Sequence, residues 1–277
     1  MVNFIYLAHS KVRFRKQAVF SILSLLEYVR ESSLQYRIIV YTDESTFFEP
    51  LGVTTRNIST NQLNEWKGEM DFVHRGKIRV MQDAAENFDG KLFFLDSDNC
   101  IFSDPTIFLN AWKDDTVIME KLEYVLRQPA DLVGKKYKRF FRKQHVFKGA
   151  EQKYDVSMDQ QCWNSGIVGL PEDARTFLPD VLAFCDDIHG QFRKHLSEQM
   201  AFSIVLSQHF KVEAFKPFTY HWFGHGQAIN KIIDEVFLDY PNADLEHWIR
   251  QVSAVKERVI AAPLNADKLP WYKRWFS

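Results

Sequence analysis

The 277-residue sequence contains no run of 18 or more apolar residues, so nothing in it reads as a membrane-spanning helix. Its three cysteines, Cys100, Cys162 and Cys185, are widely spaced and form no CxxC pair. An odd, scattered set does not make a disulfide framework, and a reducing compartment is the simpler expectation. An excess of one charge is missing too. The 35 Lys and Arg against 36 Asp and Glu leave a net charge of −1, and nothing global points to nucleic acid. Internal repeats, low-complexity tracts and Pro- or Ser-rich linkers are absent. One domain over residues 1–240 is therefore expected, with a helical and basic-aromatic extension over 241–277. The opening run through Leu7 and Ala8 is too short for the apolar part of a signal peptide and has no basic start. It reads as a strand, and the protein is expected in the cytoplasm.

What is present alternates strand and helix. Residues 3–8 form a strand. Over residues 14–30, Ala18, Val19, Ile22, Leu23, Leu26 and Val29 recur at helical spacing, and residues 36–41 form a second strand. Strand, helix and strand within about 40 residues is a βαβ unit and predicts a mainly parallel sheet of the α/β class. Residues 75–88 read as a helix, stopped by Asp89-Gly90. Strands are expected at 91–95, 117–119, 166–170 and 212–215. Helices are expected at 174–188, 198–207 (capped by Ser197), 229–239 and 244–258.

The strand Lys91-Leu92-Phe93-Phe94-Leu95 is almost wholly apolar, as a buried central strand should be, and runs straight into Asp96-Ser97-Asp98. Ligands of open α/β sheets bind at the carboxyl ends of strands. Two carboxylates there can hold a hard divalent cation whose other positions are filled by diphosphate oxygens. The alternative is a solvated acidic turn.

Several short motifs, in order, extend this. Lys91 to Asp98 resembles the strand-plus-DxD element of GT-A fold glycosyltransferases. Trp163-Asn164-Ser165-Gly166-Ile167 is similar to the turn that enters a later strand in that fold. Glu198-Gln199 resembles the Asp-Gln pair of the retaining glycogenin-like and lipopolysaccharide galactosyltransferase-like group, and His221-x-x-Gly224 resembles its late loop. The resemblance spans residues 1 to about 231. It implies a GT-A (Rossmann-like) sheet with flanking helices, a nucleoside-diphosphate sugar as donor, uridine diphosphate as the carrier, and manganese or magnesium. It implies Asp96, Asp98 and His221 as metal ligands, with His225 an open alternative for the third. Asn164, Glu198 and Gln199 would act on the sugar. Leu7, Ala8, Asp43, Lys77, Arg79, Ser97, Ser165, Gly224 and Gln227 would bind the donor, Arg79 matching the spacing better than Lys77. The sequence departs from the pattern in having Glu198 for Asp and Gln227 for the usual Lys. Turn chemistry for Asn164 and Ser165, and a solvated helix face for Lys77 and Arg79, are the plainer readings of those residues.

Two other classes share features. A haloacid-dehalogenase-type phosphohydrolase also carries an apolar strand followed by DxD, but near the start of its domain. A non-catalytic sugar-nucleotide binding module is the second alternative. The basic-aromatic stretches at 135–143 and 268–276 suit an anionic membrane surface. They suggest peripheral contact at the inner membrane face and an acceptor that is a glycan or lipid-linked, such as a lipopolysaccharide core. For the first stretch the plainer reading is a solvated loop.

Overall fold

The computed structural model describes residues 1–223 and 226–262. The strands expected at the start are there: β1 (Val2–Ala8) and β2 (Tyr36–Thr42) flank α1 (Val12–Val29). They are followed by β3 (Thr54–Asn57), α2 (Thr60–Lys67), α3 (Arg75–Asn87), β4 (Lys91–Leu95), β5 (Asn99–Ile101) and α4 (Thr106–Asn110). Next come β6 (Thr116–Val125), α5 (Leu132–Lys143), the hairpin of β7 (Val146–Lys148) and β8 (Lys153–Asp155), and β9 (Gln161–Leu170). The chain continues with α6 (Leu178–Gln191), α7 (Ser197–Ser207), β10 (Lys211–Ala214), β11 (Thr219–His221), α8 (Gly226–Val236) and α9 (Leu245–Ala261).

Seven strands form one sheet in the order β10-β6-β9-β4-β1-β2-β3. Every neighbouring pair is parallel except those made by β9, which runs against both β4 and β6. Residues alternate between the faces, as the pleat demands. Ile5, Ile39, Leu92 and Phe94 pack with α3, α6 and α7 on one side. Phe4, Tyr6, Val40, Phe93 and Leu95 pack with α1, α8 and α9 on the other. Helices on both faces explain why β1 and β4 are apolar almost throughout. No described helix is long and apolar enough to cross a membrane.

Four local expectations change. Ser197 does not cap α7; it is the first helical residue, and its hydroxyl donates to the Lys194 carbonyl instead. Asn164 and Ser165 sit inside the ten-residue β9 rather than in a turn before it. Residues 135–143 are not a solvated loop but the greater part of α5, where Gly134, Tyr137 and Phe141 form a buried stripe and Asp131 caps the first turn through the Gly134 N–H at 2.7 Å. The helix expected at 174–188 begins as a short 3-10 segment and is α-helical only from Leu178. The basic-aromatic tail at 268–276 lies outside the described residues.

Helix α9 is packed along α1. Trp248, Val252, Val255 and Val259 share a core with Ile22, Leu26 and Val29, and buried Lys256 pairs with Glu27 at 2.5 Å. Trp248→Ala is expected to destabilise the whole protein by about 3–5 kcal/mol, the usual cost of removing a buried indole. Urea unfolding followed by circular dichroism checks this; a loss under about 1 kcal/mol would mean α9 is held independently of that core.

Candidate active site

The DxD segment leaves β4 as a tight turn between three strands. The Asp96 N–H donates to the Gly166 carbonyl of β9 at 2.8 Å. Asn99, fully buried, donates its amide to the carbonyls of Asp96 (3.1 Å) and Gly166 (3.2 Å) and accepts from the Thr219 hydroxyl at 3.0 Å. That last bond joins the turn to β11, which pairs antiparallel with β5 so that His221 stands opposite Asn99. The Trp222 N–H closes the clamp on the Asp98 carbonyl at 3.2 Å. A polar residue this deep is stable because both ends of its amide are satisfied.

Asp96, Asp98 and His221 are thereby gathered with ligating atoms within 4.8 Å of one another. His221 Nε2 is 3.2 Å from Asp98 Oδ1, while Nδ1 is 2.6 Å from Oε2 of Glu120, a carboxylate only 1% exposed. Burial alone would push the imidazole pKa down, but Asp98 and Glu120 outweigh it and raise it to about 10. Asp98 is half-buried, and desolvation opposes its charge, yet His221 holds it below the usual carboxylate range; for Asp96, desolvation outweighs the pull of Lys77 and raises it. Nε2 is buried and has no hydrogen-bond partner among the described residues. These residues fit a divalent cation. Two carboxylates and one imidazole make a suitable oxygen and nitrogen set, with Nε2 facing the carboxylates and Nδ1 tied to a buried acid. A cation there would take the place of the second imidazole proton.

The approach of His221 to Glu120 needs Gly166. A Cβ at that position would lie 2.5 Å from both Glu120 Oε2 and the imidazole. The β6–β9 ladder is irregular here, with register shifts between Met119 and Lys121 and between Leu122 and Tyr124. Bulges of this kind re-aim side chains. Here they turn Glu120 toward His221, and Glu123 toward the Asn164 and Gln199 amides, each at 2.9 Å. Asn164 also accepts from the Gly166 N–H at 2.8 Å.

A cavity of about 240 Å³ opens beside this cluster, lined by Lys77, Asp96, Glu123, Asn164, Glu198 and Gln199 among others. Lys77 is buried, 3.0 Å from Asp96 and 3.4 Å from Glu198, and donates to the Ser165 carbonyl at 2.8 Å. Burial works against its charge, but the two carboxylates raise its pKa. Burial pushes Glu198 up to about 7 even with Lys77 beside it. The Ser165 hydroxyl donates to Glu198 at 3.1 Å.

The other expected site residues fall elsewhere. Leu7, Ala8 and Asp43 lie at the ends of β1 and β2, where the Ser10 N–H and Arg15 (2.9 Å) bind the Asp43 carboxylate. Burial opposes that charge, yet Arg15 keeps Asp43 below its usual range. Arg79 bonds Gln82 on its own helix, and Gln227 is exposed at the start of α8; neither lines the cavity. Ser97 is half-buried between the two aspartates. Gly224 and His225 lie outside the described residues. Glu120, Glu123, Asp131, His74 and His195 were not anticipated. For Glu120 the signal was available: an acid directly following the apolar Val117-Ile118-Met119 is out of place unless it faces a site.

No family model matches the sequence, and no curated protein matches it. Solved structures do, at low identity. The chain is similar to the galactosyltransferase LgtC bound to donor and acceptor sugar analogues (9% identity, TM-score 0.51), over 76% of this chain and 72% of that one. It is similar to the glycosyltransferase GlyE of Streptococcus pneumoniae TIGR4 (9% identity, TM-score 0.52), over 91% of this chain and 63% of that one. A third likeness is to the bifunctional glycosyltransferase WbbM (10% identity, TM-score 0.51), which covers 94% of this chain but only 51% of that one. The chain has the GT-A fold.

Glu120→Gln and Gly166→Ala are each expected to weaken manganese binding by about 10–100-fold, the usual effect of disturbing a ligand's own hydrogen-bond partner. His221→Ala should weaken it further, and His225→Ala far less. Isothermal titration calorimetry with Mn²⁺ reads all four; unchanged affinity in Glu120→Gln would remove Glu120 from the site.

Proposed function

We propose that this protein is a metal-dependent glycosyltransferase that moves a sugar from a nucleoside-diphosphate sugar to a glycan or lipid-linked acceptor. The observation that carries the proposal is the Asp96, Asp98 and His221 set, backed by Glu120, at the carboxyl end of β4 and beside a polar cavity. A manganese or magnesium ion held there supplies positive charge against the charge that develops on a departing diphosphate. Lys77 adds a fixed positive charge beside Asp96 and holds Asp96 and Glu198 in place. Glu123 orients the Asn164 and Gln199 amides, which can then meet sugar hydroxyls without reorganising. The base and ribose, uridine by resemblance, would lie over the ends of β1 and β2. There His9 Nε2 and Arg15 Nε are buried without hydrogen-bond partners among the described residues, beside Asp43. Hexosyl transfer with retention of configuration follows the same resemblance, and a lipopolysaccharide core as acceptor follows from the basic-aromatic stretches at 135–143 and 268–276. A phosphohydrolase of the haloacid-dehalogenase type would carry its DxD strand near the start of the domain, whereas here β1, α1, β2, β3, α2 and α3 precede it.

Asp96→Ala or Asp98→Ala should reduce metal-dependent turnover of the donor sugar by about three orders of magnitude or more, with the circular dichroism spectrum unchanged. A screen of nucleotide sugars for hydrolysis, with and without EDTA, reads this. Full turnover in EDTA would sink the metal-dependent reading, and phosphate release from simple esters would favour the phosphohydrolase.

A further inference from the structure

Helix α5 begins at the rim of the cavity, since Asp131 and Val133 line it, and runs about 18 Å away from it. Its inner stripe is buried. Its outer face carries Lys135, Lys136, Arg139, Arg142 and Lys143, all exposed. At 100° per residue these five and Leu132 fall within one third of the helix circumference. Among the described residues none of the five cations has an ion-pair partner. The sequence places no acidic residue between Asp131 and Glu151. The segment carrying exposed Arg193 lies alongside, held by Phe192 stacked on Phe140 with ring centroids 4.7 Å apart, and leads into cavity-lining His195 and Leu196.

Bare apolar side chains stand at the same mouth. Leu132 is 74% exposed between two cavity-lining residues. Val73, 62% exposed, directly precedes cavity-lining His74, and Phe223, which lines the cavity itself, is 62% exposed. Unpaired cations alone would suit any polyanion. Cations together with exposed apolar residues around one opening suit a surface with negatively charged headgroups above hydrocarbon.

We infer that the mouth of the cavity docks onto an anionic phospholipid surface, with the outer face of α5 supplying the charge contact and Leu132 and Val73 entering the interface. This names the partner of the site proposed above, and rests on that reading only for what the surface presents to the cavity. The contact is carried by α5 and the rim, independently of the tail beyond residue 262.

The test uses the full chain and sedimentation with vesicles of phosphatidylglycerol and phosphatidylcholine, or of phosphatidylcholine alone. The protein should sediment with the anionic vesicles at low salt and be released as salt rises. Lys135→Glu, Lys136→Glu, Arg139→Glu and Arg142→Glu together should lower that partition by about a hundredfold or more, at roughly fivefold per cation. Leu132→Ser with Val73→Ser should lower it severalfold. Circular dichroism establishes that each variant is folded, and donor-sugar hydrolysis without vesicles should be unchanged in both. No binding to anionic vesicles, or binding that the α5 variant keeps, overturns the inference. Binding to dextran sulfate as tight as to vesicles also overturns it and makes an anionic polymer the partner. If hydrolysis is absent in the unsubstituted chain while vesicle binding follows α5, the transferase reading falls and the lipid contact stands.

Discussion

Four strands converge where Gly166 has no side chain. Its carbonyl receives the Asp96 N–H and the Asn99 amide, its N–H is held by Asn164, and the space a Cβ would fill is occupied by Glu120 and His221. The turn after β4, the bulged stretch of β6 and β9, and the end of β11 are all referred to this point. Their register sets the distance between Asp98 and His221. Because protein interiors are close-packed, a methyl group here could be accommodated only by moving one of these strands. The rest of the sheet serves to bring them together.

The charged groups around that point show why the arrangement is costly and still stable. Lys77 pairs with both Asp96 and Glu198, and Lys77 and Glu198 are deeply buried. Removing one partner from such a set typically costs more than the set itself contributes, because the survivors stay buried without compensation. The Ser165 carbonyl and hydroxyl complete the network, so β9 supplies neutral partners as well as the glycine. Local stability has been given up for a fixed array of polar groups, as binding sites commonly require.

Much of the frame was legible in the residues. The βαβ start and the apolar β4 follow from periodicity and lie where expected; the DxD pair was read from its place at a strand end and the late histidine from the resemblance, and the fold brings the three residues together. What was not legible depends on packing. Lys77 and Arg79 are two residues apart on α3, so they project about 200° apart. Spacing matched to other proteins favoured Arg79, whereas the contact of α3 with β4 and α7 turns Lys77 inward. Glu123 depends on the second bulge of β6, and a bulge leaves almost no trace in a hydrophobicity pattern. Helix α5 could have been found: Gly134, Tyr137 and Phe141 fall at helical spacing after an aspartate cap, but the many lysines and arginines masked the stripe.

The balance of charge gives the last step. Asp96, Glu123, Asp131 and Glu198 line the cavity, and Asp98 and Glu120 stand behind it on His221. Against them are Lys77 and His221. His74 and His195 line the cavity too, and desolvation lowers the pKa of both imidazoles and so favours their neutral forms. A diphosphate entering this space would meet a predominance of carboxylate, and repulsion between like charges is strongest where water is excluded. On the function proposed above, a divalent cation held by the two aspartates and the histidine would offset those carboxylates where the diphosphate is bound. An acidic pocket is thus compatible with the anionic donor proposed above only if a cation forms part of the binding surface.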